Sequence, residues 1–157
     1  MLGAGYPIAA EAFDLELYQL ACTFAASREL ARLASDHPGL GRLSRVFQQS
    51  EAARRLVAAA AMIRSAMDTW SSAAHSRLDA TVGELVLHPH NCEQAATLNF
   101  REACNKILHA DSIELLDQQS DSDVLKYDIV LEGRKGQEEW RALLSVTKFV
   151  DVASHVA

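Results

Sequence analysis

Residues 126–146 read KYDIVLEGRKGQEEWRALLSV, and two runs within them alternate with period two. Tyr127, Ile129 and Leu131 alternate with Asp128, Val130 and Glu132. Trp140, Ala142, Leu144 and Val146 alternate with Arg141, Leu143 and Ser145. Successive side chains on a strand point to opposite faces, so the pattern predicts two half-buried strands. GRKGQ lies between them with two glycines and predicts a hairpin connection. A lone hairpin is marginal in water, so this one is expected to pack on helices, with Tyr127 and Trp140 on the packed face, or to add to a sheet, as through a partner chain. Its edges are expected to be open, offering dimerisation by strand addition. Beyond it, KFVDVASHVA (148–157) predicts either a short helix from about Lys148, capped by Thr147, or an extension of the second strand.

Upstream the apolar period is that of helices. In residues 9–35, Phe13, Leu17, Leu20, Phe24, Leu30 and Leu33 recur at three- and four-residue spacing. DHPGLG (36–41) is expected to end that helix in a turn. Residues 42–74 predict a second helix, with Leu43, Val46, Phe47, Val57, Ala60, Ala61, Met67 and Trp70 as its core stripe. Arg42, Arg45, Arg54, Arg55 and Arg64 punctuate it. They read either as a solvated face whose stems cover apolar neighbours, or as a basic strip in which Arg54 and Arg55 meet phosphate or an acidic partner. VGELVLHPHN (82–91) fits a short buried strand or part of a helix, with Asn91 placed to cap the next helix. Residues 95–110 predict a third helix, and DQQSDSD (117–123) a polar loop. The expected fold is mainly α, of the α+β class. It is a single domain over 1–157, with three to four helices in about 9–116 and a C-terminal β-hairpin with a terminal segment in about 124–157.

The chain has 157 residues, 49% of them hydrophobic and 23% charged, which suits one domain with its own core. A formal net charge of −6 argues against a mainly electrostatic nucleic-acid binder. Three cysteines without a CxxC pair suggest a reduced, cytoplasmic setting. The N-terminus has no positive region before an apolar run, and LVAAAAMI (56–63) is too short to span a bilayer, so no membrane association is expected. No phosphate-binding, dinucleotide or nucleophile-elbow motif is present, and no cofactor is expected. His88, His90, Cys92, Cys104 and His109 follow no common zinc spacing, so no metal is expected either. Asp111, Glu114, Asp117, Asp121 and Asp123 lack the glycine and terminal glutamate of a calcium loop.

One stretch carries candidate chemistry: NFREACNKILHA (99–110). At about 100° per residue, Phe100, Ala103, Cys104 and Ile107 share one arc, and Arg101, Asn105 and His109 share another. Leu98 and Leu108 are expected to flank the polar row, and such a mixed face suits an interface or a cleft. His109 can exchange protons near neutral pH, Arg101 can hold a phosphate with two donors, and Asn105 can orient either group. Those are the minimum parts for metal-independent RNA cleavage. Here the chain resembles the HEPN superfamily of small helical domains. Its ribonuclease members carry an arginine, four to six intervening residues and a histidine, with a polar residue often after the arginine. In this sequence seven residues separate Arg101 from His109, and Glu102 follows the arginine. The resemblance implies a helical bundle, a homodimer whose two motifs meet at the interface, and RNA as substrate for catalytic members. The leading expectation is a small interaction protein acting by self-association or partner binding. Leu98, Glu102, Leu108, Arg54 and Arg55 would lie at the interface. A metal-independent endoribonuclease and an acidic inhibitor of a nucleic-acid-handling complex are the alternatives.

Overall fold

The computed structural model describes residues 10–89, 94–116 and 128–156, apart from the side chains of Arg28 and Gln94. Tyr127, His90, Asn91, Cys92 and the loop 117–123 therefore lie outside the described residues.

Helix α1 covers Ala10–Leu33 and α2 covers Pro38–Ala66. DHPGLG is not a separate turn, because α2 begins inside it. Proline fits the first helical turn, where its missing N–H would have had no partner, and His37 before it is non-helical. Gly41 lets the two helices approach closely, since a Cβ there would stand 3.1 Å from the Ala34 Cβ. The helix predicted to reach residue 74 stops at Ala66. A 3-10 turn, Met67–Thr69, leads to a short α3, Ser72–Ser76, whose start is capped by Ser71 accepting from the Ala74 N–H at 3.3 Å.

The rest of the fold is a five-stranded antiparallel sheet in the order β2-β1-β5-β4-β3. Its strands are β1 (Thr81–Leu87), β2 (Gln94–Asn99), β3 (Ser112–Leu115), β4 (Ile129–Lys135) and β5 (Glu138–Leu144). Helix α4, Phe100–Leu108, carries the chain from one edge strand to the other, and α5, Val146–Ala153, follows β5. The fold is thus α+β, as expected, but the sheet is much larger than a hairpin. Residues 95–99, expected as helix, pair with β1 instead. The β4–β5 hairpin forms through a two-residue loop, Gly136–Gln137, with Gly136 at φ +66. Its edges are not open. They are taken by β1 on β5 and by β3 on β4, so it forms the middle of the sheet.

Cross-strand partners place Gly83, Leu98, Ile129, Leu131, Ala142 and Leu144 on one buried face. Trp140 ends that row over Gly133, where a Cβ would come within 2.3 Å of the indole. Helices α4 and α5 lie on this face. Phe100 and Phe149 meet with ring centroids 5.1 Å apart. Lys106 sits 4.2 Å from the centre of the Trp140 ring. Ser145, not Thr147, caps α5, accepting from the Lys148 N–H at 3.4 Å, while Asp128 accepts from Val146 at 2.8 Å. The α1–α2 hairpin packs over this layer, α2 on α4 and β3, and α1 on α5.

Gln49 of α2 closes one sheet edge. Its carboxamide donates to the Ile113 carbonyl and accepts from the Leu115 N–H at 3.0 Å, as a neighbouring strand would. Gln49→Ala should therefore cost about 1 kcal/mol, the usual net contribution of such hydrogen bonds where the freed backbone groups are only half-buried. Urea unfolding reads this, and a change of only a few tenths of a kcal/mol would show that the contact is dispensable.

Candidate functional site

The polar row of α4 has a clear local origin. Asn99 ends β2 and caps the helix, its side chain accepting from the Glu102 N–H at 2.8 Å. That cap starts the helix at Phe100 and sets the faces. Phe100, Ala103, Cys104 and Ile107 are buried, while Arg101 is exposed and Asn105 half-buried. His109 is exposed at the C-cap, outside the helix proper, its N–H bonded to the Asn105 carbonyl at 3.1 Å. Asn105 donates to Glu102 at 3.4 Å, and Glu102 also pairs with Lys106 at 3.5 Å.

The flanking leucines do not join this row. Leu98 belongs to β2, not to the helix, and is fully buried beside Gly83. Leu108 is half-buried against the core. The two leucines therefore do not make this row a contact surface, because the strand boundary at Asn99 turns Leu98 inward.

Arg54 and Arg55 separate in the same way. Arg55 is an internal tie, bonded to Gln19 and paired with Glu51 at 2.8 Å and Glu16 at 3.4 Å, which fixes α2 beside α1. Arg54 is exposed. It donates to Glu51 through Nε at 3.0 Å and through its terminal nitrogen at 2.9 Å, which holds the Glu51 carboxyl below its usual range.

Arg54 also lies on a surface that the sequence pattern misassigned. The core face of α2 is Ala52, Leu56, Ala59, Ala60 and Ile63. Leu43, Val46, Phe47 and Val57, predicted as core, are exposed on the far side. On α1 the outward residues include Leu15, Tyr18 and Cys22. A hydrogen bond with Cys22 raises the Tyr18 hydroxyl above its ordinary value. Among the described side chains, none in α1 beyond Leu20 is buried, and in α2 before Ala52 only Gly41 is. Beyond Phe24, which still packs on the core, and Gln49, which holds β3, the end of the hairpin extends as an arm, roughly 13 Å long at 1.5 Å per residue. The missed signal was that α2 carries apolar residues on two opposite sides, so its pattern alone does not say which side is the core.

A shallow cavity of about 280 Å³ lies beside the α4–β3 turn, lined by Asp111, Glu132, Arg134, Glu139 and Trp140 among others. Glu132 pairs with Arg141 at 2.7 Å and Glu139 with Arg134 at 3.5 Å, so two of its three carboxylates are engaged in ion pairs. Neither Arg101, Asn105 nor His109 lines it. Burial inside α4 pushes the Cys104 thiol up to about 12, which keeps it protonated and inert. Compared with known proteins, the chain matches no family model, no curated protein and no solved structure.

Proposed function

We propose that the chain is a small interaction protein that works by self-association through the outer face of the α1–α2 hairpin. One observation carries this reading. Among the described residues, the large apolar side chains left exposed are gathered on these two helices: Leu15 (54%), Tyr18 (67%), Leu43 (43%), Val46 (55%), Phe47 (58%) and Val57 (37%). Single exposed apolar residues are ordinary, but a set confined to one layer marks a surface that another protein covers. Cys22 and Cys104 are free, which suits a reducing, cytoplasmic setting. No helix among the described residues is long and apolar enough to cross a membrane.

Light scattering at tens of micromolar tests the reading. The expected mass is twice the 17.2 kDa of one chain. A monomer at that concentration would sink it.

The exposure of both Arg101 and His109 favours a second reading, metal-independent RNA cleavage assisted by Asn105 or Glu102. It predicts cleavage of single-stranded RNA in excess chelator, lost in Arg101→Ala and His109→Ala. Cleavage that survives both substitutions would rule it out.

A further inference from the structure

We infer that the occupant of the outer face is a second copy of this chain, seated so that α1 of each subunit lies along α2 of the other. This rests on the self-association reading above and adds the pairing.

The register within one chain is set by Arg55, which reaches both Glu16 and Gln19 and so lies at the height midway between them. Counting along two antiparallel helices from Arg55 puts Leu15 at about the height of Val57 and Tyr18 at about that of Arg54. Cys22 comes level with Ser50, Ala25 with Phe47, and Glu29 with Leu43. A two-fold axis parallel to the hairpin keeps every residue at its height and sets α1 against the other subunit's α2. An axis across the hairpin sets α1 on α1 and α2 on α2 instead.

Charge separates the two arrangements. Helix α2 holds five arginines and one glutamate, so +4, whereas α1 holds four acidic residues and two arginines, so −2. Stacking α2 on α2 repels, whereas setting α1 on α2 attracts overall, because the acidic start of α1, with Glu11 and Asp14, comes beside the half of α2 that carries Arg54 and Arg64.

Shape agrees. Leu15 meets Val57, the Tyr18 ring meets the Arg54 guanidinium, and the small Ala25 leaves room for Phe47, as knobs into holes require. The face runs from Glu11 to Glu29, roughly 27 Å at 1.5 Å per residue. Two helices wide, it approaches the ~800 Å² per subunit that stable interfaces cover.

Cysteine cross-linking tests the pairing. In a Cys92→Ser background, Ser50→Cys places a thiol opposite Cys22 of the partner subunit, within the Cα separation a disulfide spans. Ser50 is an exposed helical residue, so the substitution should fold normally. Mild oxidation should give at least tenfold more covalent dimer than the Cys92→Ser chain alone, with peptide mapping joining positions 22 and 50. Adding Phe47→Glu should abolish the link. A link of 22 to 22 or 50 to 50, or no link in a protein that light scattering shows to be dimeric, overturns the pairing and leaves self-association standing. A monomeric reduced protein overturns both.

Discussion

Phe47→Glu should convert the associated protein to monomer, raising its dissociation constant roughly 10²- to 10⁴-fold. Phe47 is 58% exposed in the single chain, so covering it is a gain made on association and not on folding. Burying a phenylalanine contributes about 1.5–3 kcal/mol. In a two-fold dimer each substitution acts twice, which gives about 3–6 kcal/mol and the range stated. The introduced carboxylate would also have to be desolvated against Arg54 and Glu51, so the upper half of the range is expected. The monomer's melting temperature should hardly move, because Phe47 makes no contribution to the core. Sedimentation equilibrium and a circular-dichroism melt together check both halves. An unchanged dissociation constant would mean that the outer face is not the interface, and a collapsed melt would mean that Phe47 is structural.

Phe100→Ala should cost about 3–5 kcal/mol of folding stability, the usual range for a buried aromatic truncated to alanine. Phe100 is fully buried at the first turn of α4, where it meets Phe149 of α5 at 5.1 Å and 41°. That contact joins the two helices that cover the sheet, and aromatic pairs add about 0.5–1.5 kcal/mol beyond area burial. For a chain of this length the melting point should fall roughly 6–20 °C, at about 2–4 °C per kcal/mol. A loss below about 1 kcal/mol would show that the site collapses around the missing ring, and that α4 and α5 are held elsewhere.

The parts of this fold that were legible in the sequence are those with a full period on one face. Ile129, Leu131, Trp140, Ala142 and Leu144 alternate cleanly because a continuous helical layer covers one side of the sheet. QAATLN at 94–99 offers no alternation of large apolar residues. It is an edge strand in which, among the described side chains, Leu98 alone is buried, and its pattern merges into that of the helix after it. Asn99 held the clue, since an Asn three residues before Glu102 is an N-terminal helix signal. β3 is only four residues long and is completed by Gln49, a contact between distant segments that no local pattern contains.

The candidate site was legible in its chemistry but not in its neighbours. Periodicity separates Arg101, Asn105 and His109 from the apolar stripe of α4. It says nothing of which strand ends beside them, so Leu98 was drawn to the wrong surface. In α2, periodicity finds apolar stripes without saying which is inside. The small residues Ala52, Ala59 and Ala60 mark the side where α2 approaches its neighbours closely, and Leu43, Phe47 and Val57 are left outward.

Cys22 lies between Tyr18 and Ala25 on the outward side of α1 and is exposed in the single chain. It reports directly on whether that face is covered, while Cys104 is buried and protonated in the same molecule and serves as the internal control. The measurement is the alkylation rate of Cys22, monitored by mass spectrometry as protein concentration rises from below micromolar to a hundred micromolar. The rate should fall at least tenfold as the dimer forms, and Phe47→Glu should remove the dependence. A Cys22 rate that stays constant over that range would contradict self-association through this face.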